Sequence, residues 1–167
     1  MIIVCGLSKA QGQIDQHGAR SVIGILGPET AHPVYSGVDE ARHLRLSFND
    51  INEPTEGMVH ASEDDVHRLI RFIQEWDRKA PMVVHCWAGI SRSTATAFTA
   101  MCLLRPDEDE MALAQDLREA SPSATPNRLI TAKVDQVLGR QGRMLRAVES
   151  IGRGADAYEG VPFAIKV

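Results

Sequence analysis

Aromatic side chains are scarce in this 167-residue chain, at 5%, so the core they would build is excluded and an aliphatic one is expected. Cysteines number only three, at positions 5, 86 and 102. An odd, scattered set makes no disulfide framework and points to a reducing, cytoplasmic setting. Positive charge is not in excess: 18 Lys and Arg stand against 22 Asp and Glu, a formal charge of -4. That argues against general nucleic-acid or anionic-membrane binding and leaves room only for a local basic pocket. No apolar run approaches the ~18–20 residues that span a bilayer. The opening stretch Ile2–Cys5 is too short for a secretory signal core, and no basic flank precedes it. His17, His32, His43, His60 and His67 show no metal-ligand spacing beside the cysteines, which suggests surface or loop roles. There is no internal repeat and no linker that would divide the chain. With 44% hydrophobic and 24% charged residues, the expectation is one compact domain over residues 1–151. Residues 152–167 form a Gly-rich, weakly apolar tail whose pattern specifies no element.

Strand and helix signals alternate. Ile2–Cys5 and Ser21–Leu26 read as strands, the second closed by Gly27-Pro28. Between them, Ser8 and Gln11 suggest a capping box for a helix that Gly18 stops near His17. A helical turn is expected at Gly37–Ala41, a third strand at Leu44–Phe48, and an exposed loop at Asn49–Ala61. Ser62 is placed to cap a helix reaching about Lys79, with Asp64 and Asp65 in its first turn. Met82–His85 reads as a buried strand, and Arg92–Leu104 is apolar all round, as a helix surrounded by protein would be. Asp107 is expected to cap a helix to about Ala120, and further helices follow the Ser121–Pro126 turn to about Ile151. Strands joined by helices indicate an α/β fold with a mainly parallel central sheet flanked by helices.

The chemistry concentrates between His85 and Ser93. A strand ends at His85, the residues Cys86-Trp87-Ala88-Gly89-Ile90-Ser91 follow, and Arg92 opens the buried helix. Backbone N–H groups of so tight a loop can converge on an anion, and the helix adds unpaired donors and the positive end of its dipole. Gly89 permits backbone geometry that a β-carbon would oppose. Arg92 can complete the ring with a planar fork to two phosphate oxygens. The same surroundings favour Cys86 as a thiolate, a nucleophile aimed at phosphorus.

His85-Cys86-Trp87-Ala88-Gly89-Ile90-Ser91-Arg92-Ser93 resembles the H-C-x-x-G-x-x-R-[S/T] signature of the cysteine-dependent protein tyrosine phosphatases. The Ala-Gly-Ile-Ser-Arg-Ser wording is most similar to the dual-specificity branch. The resemblance implies that Cys86 attacks the phosphoester to give a cysteinyl-phosphate, which water then hydrolyses. It implies that residues 86–92 hold the phosphate, that Ser93 hydrogen-bonds the Cys86 sulfur, and that His85 orients the loop from below. Pro126-Asn127 resembles the family's turn before the last helices, where the Asn steadies the phosphate loop. No metal or other cofactor is implied. An Asp on a separate loop should act as general acid, and Asp50, just past the third strand, fits that place. Asp64 and Asp65 are alternatives better explained by a helix N-terminus, and Glu53 is a weaker one.

The expected substrate is a phosphorylated protein, at tyrosine or at serine and threonine too, with a small phosphorylated metabolite as the alternative. Trp87, Ala88, Gly89, Ile90 and Ser91 carry no charge, which disfavours a highly charged metabolite. A catalytically weak phosphoprotein-binding module is a third reading, but such modules typically lose the nucleophile or the Arg, and both are present. Sulfur transfer is more remote, because the Gly/Arg/Ser pattern is foreign to it. Cys102 and Cys5 read as core residues, either of which could trap oxidised Cys86. Trp87 fits a pocket wall and a packing role equally.

Overall fold

A computed structural model describes the whole chain, Met1 to Val167. Five strands, β1 (Ile2–Gly6), β2 (Ser21–Leu26), β3 (His43–Ser47), β4 (Met82–Cys86) and β5 (Phe163–Ile165), form one sheet in the order β3-β2-β4-β1-β5. The first four are parallel, and β5 runs antiparallel to β1. Val, Ile and Leu dominate β1, β2 and β4, and every residue of the three is buried. Continuous apolar runs of this kind mark parallel strands covered on both faces.

Six helices cover the sheet: α1 (Ala10–His17), α2 (Glu63–Glu75), α3 (Arg92–Leu104), α4 (Glu110–Ala120), α5 (Arg128–Val137) and α6 (Arg143–Ile151). One face carries the main core, to which α2–α6 contribute Val66, Phe98, Leu113, Val134 and Met144. The other face is a smaller core in which Ile3, Cys5, Val22 and Val83 meet Ala10 and Ile14 of α1 and Tyr35. Helix α3 lies in the middle, with Arg92 through Cys102 all buried. Helix α2 is amphipathic and turns Val66, Leu69, Ile70 and Ile73 inward. Burial of such side chains contributes about 1.5–3 kcal/mol each.

Several local expectations shift. The Ser8–Gln11 capping box does not form: Leu7–Lys9 is a 3-10 turn, and no side chain caps α1. Ser8 instead donates to Glu159 of the tail, and Gln11 donates to Asp15 and the Ser36 carbonyl. Gly18 does end α1, in the left-handed conformation. Ser62 caps α2 with Asp65 in a reciprocal box, but the helix stops at Glu75, short of Lys79. Asp109, rather than Asp107, caps α4 through the N–H groups of Met111 and Ala112. The tail contributes an edge strand, with Ile2 opposite Ile165 and Val4 opposite Phe163. One short strand there was illegible locally because its pattern is completed only by β1.

The parallel register brings the carboxyl ends of β1, β3 and β4 to one edge, Gly6 standing opposite Cys86. Sites in open α/β sheets form in the crevice outside those ends. Here that edge carries the turn into α3 and the loop after β3.

Candidate active site

Residues 86–92 run from the end of β4 into the first turn of α3. Gly89 sits at φ +73°, and a β-carbon on it would lie 2.6 Å from the backbone of Cys5 and Gly6. Both facts require glycine, as the sequence suggests. The loop's carbonyls face outward onto fixed donors: Trp87 O accepts from Leu7 N–H at 3.0 Å, Ile90 O from Thr125 N–H at 2.9 Å, and Ser91 O from Asn127 N–H at 3.2 Å. All peptides are trans, so a carbonyl held outward turns the N–H of the same peptide the opposite way. The N–H groups of Ala88, Ser91 and Arg92 are thereby fixed toward the loop interior.

Cys86 is buried at the base of this ring. Its sulfur lies 3.2 Å from Ser93 Oγ and accepts from Gly89 N–H at 3.3 Å. Arg92 is 7% exposed, and its Nη1 donates to the Phe48 carbonyl at 2.9 Å. Its buried Nε has no hydrogen-bond partner. Tying down Nη1 leaves the Nε–Nη2 edge as the two-pronged donor for an oxyanion.

Of the candidate acids Asp50, Glu53, Asp64 and Asp65, Asp50 reaches this loop. Its Oδ1 accepts from Ser91 Oγ at 2.6 Å and from Asn127 Nδ2 at 2.9 Å, and Oδ2 stands 3.9 Å from Arg92 Nε. Asp65 is engaged by its own helix cap, and Asp64 and Glu53 are exposed away from these contacts. Asn127 holds the phosphate loop and more. Its side chain holds the Asp50 loop, also donating to the Ile51 carbonyl at 3.0 Å, while only its backbone N–H holds the phosphate loop. It is thus a bridge between the two loops, and its Oδ1 also caps α5.

His85 lies beneath the loop, fully buried. Its Nδ1 is 3.4 Å from the Cys86 carbonyl, and its Nε2 is 2.8 Å from Tyr35 Oη. A carbonyl only accepts, so Nδ1 carries the proton and Tyr35 donates to Nε2. Burial pushes His85 down to about 4 from an ordinary 6.5, and burial, with Arg45 nearby, does the same to His43. His43 packs against Tyr35, ring centroids 5.2 Å apart. Surface roles for the histidines do not hold for His43, which is 8% exposed. Tyr35 had no local signal at all: it sits in a stretch without regular structure and acts across fifty positions of sequence.

Both rings stay neutral in the folded chain, whereas unfolded they accept protons below about 6.5. Stability should therefore be complete above that pH and fall as the pH drops toward 4, by about 2 kcal/mol per ring at pH 5. Urea unfolding at pH 7 and pH 5 measures this directly, and His43→Gln should make the fall shallower. A midpoint that does not move between the two pH values contradicts the neutral cluster.

The remaining cysteines are buried thiols, each pushed up to about 12 by burial. Cys5 belongs to the small core and Cys86 to the main one, on opposite faces of the sheet. That arrangement disfavours a Cys5–Cys86 pair on oxidation. Trp87 is 56% exposed, so the packing role is excluded. It lines a cleft of about 240 Å³ with Leu7, Ala88 and Tyr158 beside the loop.

Residues 47–124 match the family model described as protein-tyrosine phosphatase. Among solved structures, DUSP15 superposes with a TM-score of 0.65 at 19% identity, covering 89% of this chain and 90% of its own. Human DUSP28 gives 0.61 at 18% identity, covering 84% and 94%. PTPMT1, solved in complex with PI(5)P, gives 0.59 at 14% identity, covering 84% and 94%. No curated protein matches the chain. At these identities the structural neighbours establish the fold, and the family match falls on the segment that holds the nucleophile loop. The chain has the fold of the dual-specificity phosphatases, and its residues 47–124 match the protein-tyrosine phosphatase family model.

Proposed function

We propose that this protein hydrolyses phosphomonoesters on proteins, as a tyrosine or dual-specificity phosphatase working through a cysteinyl-phosphate. The observation that carries the reading is the buried Cys86 sulfur at the base of a loop whose Gly89 N–H meets it, with Arg92 buried at the end of the same loop and its Nε free of hydrogen bonds. The ring and the Arg92 fork bind the three non-bridging oxygens and stabilise the charge they share in the transition state. Cys86 Sγ attacks phosphorus in line with the departing oxygen. Asp50 delivers the proton that oxygen needs, from Oδ2, since Oδ1 is held by two donors. In the second step Asp50 takes a proton from water as the water attacks phosphorus and the P–S bond breaks. Ser93, 3.2 Å from the sulfur, donates to the thiolate as it leaves. His85 has a positioning role, holding the Cys86 carbonyl while Tyr35 fixes its ring.

The uncharged loop residues and the apolar cleft beside Trp87 support a protein substrate over a polyphosphorylated metabolite. The neighbour solved with PI(5)P supplies the competing reading, a phosphorylated lipid or metabolite. Three free cysteines fit a reducing, cytoplasmic location, and no helix is long and apolar enough to cross a membrane. A panel of phosphopeptides, phosphoinositides, sugar phosphates and nucleotides decides the class. Phosphotyrosine peptides are expected to give the highest kcat/KM, and a preference for a non-protein phosphoester by an order of magnitude reverses the assignment.

A further inference from the structure

The tail hydrogen-bonds the phosphate loop directly, a contact that no local pattern announces. Gly160 N–H donates to the Ala88 carbonyl at 2.8 Å. Ala88 C=O and Gly89 N–H belong to the same trans peptide, so drawing the carbonyl outward aims the N–H inward. That N–H is the one that reaches Cys86 Sγ at 3.3 Å. The other outward carbonyls with fixed donors are held from nearer parts of the fold: the 3-10 turn just after β1, the turn before α5, and the N-cap of α5. The carbonyl of residue 88 is held from the tail.

Position 160 also admits no side chain, since a β-carbon there would lie 2.9 Å from the Gly89 carbonyl oxygen. The approach is anchored on both sides. Upstream, Glu159 accepts from Ser8 and packs so closely over Gly6 that a β-carbon on Gly6 would collide with it. Still earlier, Ala155 N–H bonds the Pro122 carbonyl and Gly154 N–H bonds Thr125 Oγ1. Downstream, β5 pairs with β1. Residues 154–165 thus form a strap fastened at both ends, with Gly160 pressed onto the loop between them.

We propose that Gly160 is a positioning residue of the active site: its N–H sets the Ala88–Gly89 peptide so that Gly89 N–H points at the attacking sulfur and the phosphoryl oxygens. The proposal rests on the reading of residues 86–92 as the phosphate cradle. A misaimed Gly89 N–H removes one donor from the transition state, and loss of one such donor costs about 10²–10³ in kcat in other enzymes. Gly160→Pro deletes the N–H, and Gly160→Ala keeps it but pushes the strap off the loop. Both should weaken inhibition by vanadate about 10-fold or more and lower kcat on an aryl phosphate by more than they raise KM, with Gly160→Pro the more severe.

The test measures the vanadate inhibition constant, kcat, KM and the melting transition for both variants in the full-length chain. A merely structural strap would lower the melting temperature and the active fraction but leave the inhibition constant of the folded enzyme unchanged, and that result overturns the proposal. Should Gly160→Pro fail to fold, Ser8→Ala and Glu159→Ala loosen the strap while leaving the Gly160 N–H itself in place. A weaker vanadate constant in these supports the proposal, and an unaltered one refutes it. Cys86→Ser serves as the control. If it retains turnover, the cradle reading itself fails and the proposal with it. If it is inactive while the Gly160 variants bind vanadate as the wild type does, only the role of Gly160 is lost.

Discussion

Cys86→Ser should reduce turnover of an aryl phosphate to background while phosphate or sulfate still binds in the loop. The two outcomes separate because different groups are responsible. On the proposed mechanism the anion is held by backbone N–H groups, fixed through the outward carbonyls of Trp87, Ile90 and Ser91, and by Arg92. None of these depends on sulfur. Attack on phosphorus does, because a serine hydroxyl in this position remains protonated and the loop offers no base for it: His85, the one imidazole in contact with residue 86, is committed to the Cys86 carbonyl and Tyr35. Arg92→Lys provides the complementary case. An ammonium cannot both keep the Phe48 carbonyl and present a planar pair of donors, so rate and anion affinity should fall together. Isothermal titration with phosphate and steady-state kinetics on the two variants check this division.

Asp50→Asn should slow turnover by ~10²–10⁴-fold for substrates with poor leaving groups and far less for a nitrophenyl phosphate. An amide keeps the hydrogen bonds of Oδ1 to Ser91 and Asn127 but has no proton to give, and a nitrophenolate departs without one. The pH–rate profile carries the same signature. Wild type needs Cys86 ionised and Asp50 protonated in one molecule, so its profile should be bell-shaped. The variant should lose the limb that falls at high pH. Asp64→Asn and Asp65→Asn should change little, since Asp65 serves the cap of α2. A large leaving-group-dependent loss at Asp64 or Asp65, with none at Asp50, would move the acid to another loop.

These residues were legible in the sequence to the extent that their geometry is local. The β-branched runs of β1, β2 and β4 announce buried parallel strands because each carries its pattern within five or six residues. The turn from Cys86 to Arg92 is similarly self-contained: Gly89 and Arg92 are required by a seven-residue conformation. Asp50 could be placed because it follows a strand whose end must lie at the functional edge of a parallel sheet. What stayed hidden depends on partners far away in sequence. Ser8 looked like a cap because a cap is a local device, yet its hydroxyl meets Glu159 across 151 positions. Tyr35 is in irregular chain and acquires its role only when β4 brings His85 beneath it. Asn127 was recognisable as part of a turn, but its amide's reach to Asp50 follows from how α5 docks, not from the turn. Gly160 lies in a tail whose three-residue strand is specified by β1, so neither its position nor its contact had a periodic signal.

Covalent catalysis at Cys86 is tested most directly by acid-quenching Asp50→Asn during turnover of nitrophenyl phosphate and mapping the phosphoryl group by mass spectrometry. The first step needs no acid with this substrate, whereas the second lacks its base, so the intermediate should accumulate. The phosphoryl group is expected on the peptide containing Cys86 and nowhere else. Release of nitrophenolate over many turnovers with Cys86 unmodified would mean that water attacks the substrate directly, and the cysteinyl-phosphate mechanism would be wrong.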